Sequence, residues 1–160
     1  MMNANYELDA TIKQKIADEI KKFPDKLAAL LPALHIVQDK FGFVPPELEP
    51  QIAELLDIYP IKVREVMTFY SLLYDKPIGK HGIYICSNLT CCLEGCAKLA
   101  QYISDRLKVQ INETSSNGKF SFFKTPCLGA CEKAPVVIIN GKYHYNVTPD
   151  SIDKIISELD

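Results

Sequence analysis

The chain has no long run of lysine or arginine, and its formal charge is only -2. That argues against nucleic acid or an anionic membrane surface as its main partner. No apolar stretch approaches the ~18 residues that a spanning helix requires, so direct membrane insertion is not expected. The opening MMNANYELDA lacks the basic start, apolar middle and small-residue cleavage site of a signal peptide, and the Arg- and Ser-rich bias of a transit sequence. A cytoplasmic bacterial or archaeal chain is expected, although a processed organelle protein would read the same way. GxGxxG, the P-loop and GxSxG are all missing, so the chain shows no nucleotide site of its own. No internal repeat is visible. Cysteine is absent from residues 1–85, and CxxC occurs nowhere.

What is present begins with helices. Hydrophobic residues make up 48% and charged residues 24%, enough for a core and ordinary for a globular chain. Ile12, Ile16, Ile20 and Phe23 recur at helical spacing until Pro24. Leu27, Leu30, Leu31, Leu34, Val37 and Phe41 form a second stripe, with Pro32 in its first turn and Gly42 as its C-terminal cap. A third helix is expected over 46–57. A fourth runs from Pro60 to about Leu73, turning Val63, Val66, Met67 and Tyr70 inward. Short connections between such segments predict a helical bundle.

The polar stretch YDKPIGKHG ends that pattern, and the boundary placed there divides the chain into residues 1–77 and 78–160. A strand-like Ile83–Ile85 leads into Cys86, and a helix is expected from about Cys91 to Leu107. NETSSNG at 112–118 is turn material, followed by an extended run at 119–124. Val136–Ile139 reads as a buried strand, Asn140-Gly141 as a hairpin turn and 142–146 as the return strand. Thr148 is a natural cap for a last helix carrying Ile152, Ile155, Ile156 and Leu159. The fold class is therefore α+β: an N-terminal helical bundle, then an α/β domain that a thioredoxin-like sheet fits well.

Six cysteines lie within 86–131. Clustering of this kind without an export signal points to metal or redox chemistry rather than a disulfide scaffold. Two pairs stand out, Cys86-SNLT-Cys91 and Cys127-LGA-Cys131, with thirty-five residues between them. Four thiolates suit either structural zinc, which favours short intervals within each pair, or a 2Fe–2S cluster, which has two irons to span. The wider intervals fit the larger object better, and zinc stays open on spacing alone. An oxidised cluster on four thiolates carries about -2 charge and its reduced form about -3. Backbone N–H donors and a helix N-terminus at Cys91 would favour that charge. Gly129 permits a positive φ and close approach of the second loop.

The other candidates have plainer readings. Cys92 and Cys96, four apart, read as small buried side chains, with a redox pair or an alternative ligand as the competing use. His35, His81 and His144 match no ligand spacing. His35 reads as a packing residue beside the leucine stripe, and His81 as a surface strand residue near Cys86. Phe69, Tyr70 and Tyr74 are either core or an interaction patch.

Taken together, LLPALHIVQDKFGFVPPE, IAELLDIYPIKVREVMTFYSLLYDKPIGKHGIYIC, the two cysteine pairs and LGACEKAPVVIINGKYHYNVTPDSIDKII closely resemble the small 2Fe–2S flavoprotein-fragment subunit of NADH–quinone oxidoreductase, respiratory complex I. The likeness runs from about residue 10 to 160 and extends to diaphorase subunits of NAD-linked hydrogenases and formate dehydrogenases. It implies a thioredoxin-like ferredoxin domain with one 2Fe–2S cluster on Cys86, Cys91, Cys127 and Cys131. It also implies a larger partner subunit that binds NADH and FMN and carries a 4Fe–4S cluster. The other peripheral-arm subunits of an oxidoreductase and translocase would be further partners. The implied role is electron transfer without catalysis by the isolated chain. The implied place is the cytoplasmic face of the inner membrane, peripheral to it. Cys92 and Cys96 fall where that family commonly carries small residues.

Overall fold

The computed structural model describes residues 6–159. Its backbone separates between Pro77 and Ile78 into two compact units, each with its own core.

The first unit is built from α1 (Ala10–Ile20), α2 (Leu30–Phe41), α3 (Glu49–Leu56) and α4 (Pro60–Phe69). Asp9 caps α1 by accepting the Ile12 N–H at 2.8 Å, and Gly42 ends α2 in the left-handed conformation. The expected stripes meet in one core that includes Ile12, Ile16, Leu34, Val37, Ile52, Leu56 and Val63. Each such buried side chain contributes roughly 1.5–3 kcal/mol. Several expectations fail at the edges. Helix α4 stops at Phe69 rather than Leu73, because residues beyond it turn away to be held by α2. Gln38 donates to the Leu72 carbonyl and accepts the Tyr74 N–H. Tyr70 is consequently not inward but 42% exposed, and Phe69 is 80% exposed. Phe23 lies past the end of α1, and both it and Leu27 are on the surface. His35 is exposed on the polar side of α2, not packed.

The second unit is a five-stranded mixed sheet in the order β2-β3-β1-β4-β5. Its strands are β1 (His81–Cys86), β2 (Glu113–Thr114), β3 (Phe120–Thr125), β4 (Val137–Ile139) and β5 (Lys142–His144). Helices α5 (Leu89–Leu93) and α6 (Cys96–Leu107) connect β1 to its parallel neighbour β3, and α7 (Pro149–Glu158) follows the β4–β5 hairpin. Ile83, Ile85, Phe122, Val137 and Ile139 join Leu99, Ile103, Ile152 and Ile156 in the core. Tyr102 Oη and Arg106 Nε both donate to Asp153, at 2.6 and 3.0 Å, fastening α6 to α7. The expected hairpin turn is present, with Asn140 and Gly141 both at positive φ. Thr148 caps α7 in a reciprocal pair with Ser151.

Three expectations change here. The helix expected from Cys91 to Leu107 is two helices, because Gly95 adopts φ +88° between them. The segment 112–118 is not all turn: Glu113 and Thr114 pair with Phe122 and Ser121. His81 is buried rather than on the surface, with Asn140 Nδ2 donating to its Nδ1 (2.8 Å), its ring against Phe120 and no hydrogen-bond partner at Nε2. Among the described residues no helix is long and apolar enough to cross a membrane.

Candidate metal centre

Parallel pairing of β1 with β3 sets Cys86 opposite Thr125. Both strands therefore end at the same edge of the sheet, the end where loops of α/β proteins gather functional groups. The first cysteine pair leaves β1 there, and Cys127 comes two residues after Thr125. Antiparallel β4 begins at the same end, since Ile85 pairs with Val137. Backbone bonds lock the three segments together: Cys86 N–H donates to the Val136 carbonyl (3.1 Å), and Ser87 N–H to the Thr125 carbonyl (2.9 Å).

Cys86 and Cys91 are 2% and 1% exposed. Asn88 starts α5 by accepting the Leu89 N–H at 2.8 Å, which places Cys91 in the third position of a five-residue helix rather than at its first. Burial pushes the Cys91 thiol up to about 11. A hydrogen bond with Cys86, and the charges of Cys86 and Cys131, push it the same way. The Val136 N–H, also bonded to Cys91, opposes them. Apolar surroundings and neighbouring anions both penalise a thiolate. The rise therefore favours the neutral thiol at Cys91 with its protein neighbours alone.

Cys127 and Cys131 are exposed. The loop between them turns on Gly129, whose φ of +70° suits glycine, and the Gly129 N–H donates to Cys127 Sγ at 3.4 Å. Tyr143 Oη on β5 pins the loop through the Leu128 carbonyl (3.2 Å). Downstream, Asn146 N–H bonds the Lys133 carbonyl and Val147 N–H the Pro135 carbonyl, so the return from the second pair is stitched to the chain after β5. The fold thus brings Cys86 and Cys91 into contact and Cys131 within electrostatic reach of Cys91. Cys127 stands at the rim on its own N–H donor. Among the described residues, no three Cys, His, Asp or Glu side chains close around a single-ion position.

Two participants escaped the sequence reading. The Val136 N–H is a main-chain donor with no residue signature, and Tyr143 reaches Leu128 only through the sheet. Cys92 is exposed, contrary to the buried reading, while Cys96 is buried as expected. Burial and a bond to Cys92 hold the Cys96 thiol up near 12.

A mixed α/β sheet with cysteine-bearing loops at the end of its parallel strands defines a class, a small sulfur-rich α/β protein of metal or redox chemistry. Residues 16–160 match the family described as thioredoxin-like [2Fe-2S] ferredoxin, and the chain belongs to that family. It is 32% identical over 149 residues to one NADH-quinone oxidoreductase subunit of Rhizobium meliloti, covering 93% of this chain and 89% of that protein. It is 34% identical over 151 residues to an NADH-quinone oxidoreductase subunit of Pseudomonas aeruginosa, covering 94% and 91%. Its fold is also that of part of an NAD+-reducing [NiFe]-hydrogenase, with TM-score 0.67 and 19% identity over 81% of this chain and 22% of that one.

Proposed function

We propose that this chain is the small electron-transfer subunit of an NADH-oxidising complex and holds one 2Fe–2S cluster on Cys86, Cys91, Cys127 and Cys131. The observation that carries the reading is the convergence of both cysteine loops on one end of the β1–β3 pair. When bound, the cluster supplies a one-electron carrier. The chain's own residues do the rest. Cys86 and Cys91 form the buried half and exclude water. Cys127 and Cys131 form the exposed half, the side from which a partner's redox group can approach. The Val136 and Gly129 N–H groups, aimed at Cys91 and Cys127, stabilise sulfur that carries negative charge. A lone tetrahedral zinc needs its sulfurs around one point. Two irons, each needing its own ligands, suit a divided arrangement.

The partner in this reading is the larger subunit that binds NADH and FMN, and the electrons exchanged are those of its flavin. The 89–91% coverage of the two NADH-quinone oxidoreductase relatives favours a quinone-reducing complex. The shared fold of the hydrogenase chain supports the alternative, a diaphorase subunit of an NAD-linked hydrogenase or formate dehydrogenase. In the quinone-reducing case the chain sits peripherally on the cytoplasmic side of the membrane. Visible absorption, iron, zinc and sulfide content, and paramagnetic resonance after dithionite reduction test the site. Equal iron and sulfide with a rhombic signal, lost together in Cys127→Ser/Cys131→Ser, is expected. Sulfide-free zinc in the native protein would overturn the proposal. Copurification with a flavin-bearing subunit from the native source tests the partner.

A further inference from the structure

Cys92 and Cys96 are the two thiols outside the proposed ligand set. Their Sγ atoms are 3.3 Å apart and unbonded, against about 2 Å in a disulfide. Cysteines four apart in an unbroken helix seldom come this close. Here Gly95 ends one helix and restarts the chain, so Cys92 belongs to α5 and Cys96 opens α6. The two thiols also differ in access: Cys92 is exposed and Cys96 is buried behind it. Both line a cavity of about 320 Å³. Cys86 lines it too, its polar wall is formed by Ser87, Gln101, Ser104, Gln110 and Lys124, and Lys124 is the one charged side chain among the described lining residues.

We propose that Cys92 and Cys96 are a thiol–disulfide pair whose oxidant is a small disulfide bearing carboxylates. In the first step Cys92 attacks one sulfur of the small molecule, whose S–S bond breaks as a mixed disulfide forms on Cys92. One small thiol leaves with the proton that Cys92 gives up. Cys96 then attacks Cys92 Sγ, forming the Cys92–Cys96 bond and releasing the second small thiol with the proton from Cys96. Two electrons pass from the protein to the small disulfide, and excess small thiol runs the exchange backwards. Lys124 attracts the carboxylates, and the cavity receives the departing thiol. The bond staples α5 to α6 directly after Cys91. It adds a two-electron centre to an end of the sheet otherwise devoted to one-electron chemistry.

The test uses cluster-bearing protein and oxidised glutathione, with peptide mapping by mass spectrometry before reduction and iron counted in parallel. The expected product is a 92–96 peptide lighter by two hydrogens, resistant to alkylation and restored by reduced glutathione, with iron retained. Cys96→Ser should hold on the order of tenfold more glutathione on Cys92 than the wild type, because the intramolecular second step is gone. Lys124→Ala should slow the reaction with oxidised glutathione about threefold while leaving an uncharged small disulfide unaffected. Wild-type protein that keeps glutathione on Cys92 as stably as Cys96→Ser would overturn the pairing. Iron loss from Cys92→Ser/Cys96→Ser would overturn it differently, by making these thiols ligands. The proposed ligand set is judged separately, by the cysteines at 127 and 131.

Discussion

Replacing Gly129 by alanine isolates what the second cysteine loop contributes. Its φ is +70°, and nothing lies within 4 Å of where a Cβ would stand. The cost is therefore all backbone, roughly 1–2 kcal/mol for an L-residue in the left-handed region. No packing term adds to it. The loop must hold this conformation for the Gly129 N–H to reach Cys127 Sγ, and on the proposed ligand set iron release requires it to open. The substitution then raises the closed form relative to the open one by the same energy. At about 1.4 kcal/mol per tenfold, release of iron to a chelator should quicken about fivefold to thirtyfold. Gly141→Ala is the control. Its φ is +79°, its surroundings are equally open, and it sits in the β4–β5 turn away from the cysteines. That variant should lower the melting temperature by roughly 5–10 °C yet release iron close to the wild-type rate at 25 °C. Bleaching of the visible absorption under excess chelator gives the rates, and thermal melts give the stability. Wild-type release from Gly129→Ala, or equal acceleration by Gly141→Ala, would refute the reasoning.

Three further outcomes follow from the packing and charge of the second unit. Gly79→Ala places a Cβ 2.8 and 2.9 Å from backbone atoms of Phe120, which cannot swing aside, so a loss of about 1–3 kcal/mol should appear in denaturant melts. Phe122→Ala empties the centre of the β1–β3 core and should cost about 3–5 kcal/mol, measured the same way; a loss under about 1 kcal/mol would contradict the burial described. Asp153 is held below its ordinary 3.8 by the Tyr102 hydroxyl first and by Arg106 after it. A lowered carboxyl stabilises the fold above the unfolded value and stops doing so as pH falls through the folded one. The melting-temperature gap between wild type and Asp153→Asn should therefore be open at pH 7 and close in acid below 3.8. A gap that persists there would show that the Tyr102–Asp153–Arg106 contacts act without ionisation.

Much of the fold was legible because local rules governed it. The isoleucines of α1 and the leucines of α2 lie at helical spacing with polar residues opposite, and burial followed. Asn140-Gly141 and Thr148 carry their conformations in their own side chains or lack of one. The misplaced residues are those whose fate depended on distant partners. Tyr70 left the core because Gln38 captured the chain beyond α4. His81 went inside because Asn140 and Phe120 met it there. Cys92 and Cys96 fell on separate helices because Gly95 took a positive φ that periodicity does not register.

The candidate four-cysteine site could be proposed from residue type and interval alone, as two close pairs of soft ligands with a glycine inside the second, while the interval left zinc and 2Fe–2S both open. Covalent spacing sets what each loop can offer. It does not set where the loops meet. That was decided by the parallel register of β1 on β3, which brings segments thirty-five residues apart to one edge, and by the entry of β4 beside them, which supplies the Val136 N–H. Strand pairing is a long-range choice made by the whole core, so the division into a buried and an exposed pair, and the approach of Cys92 to Cys96, belong to the tertiary structure.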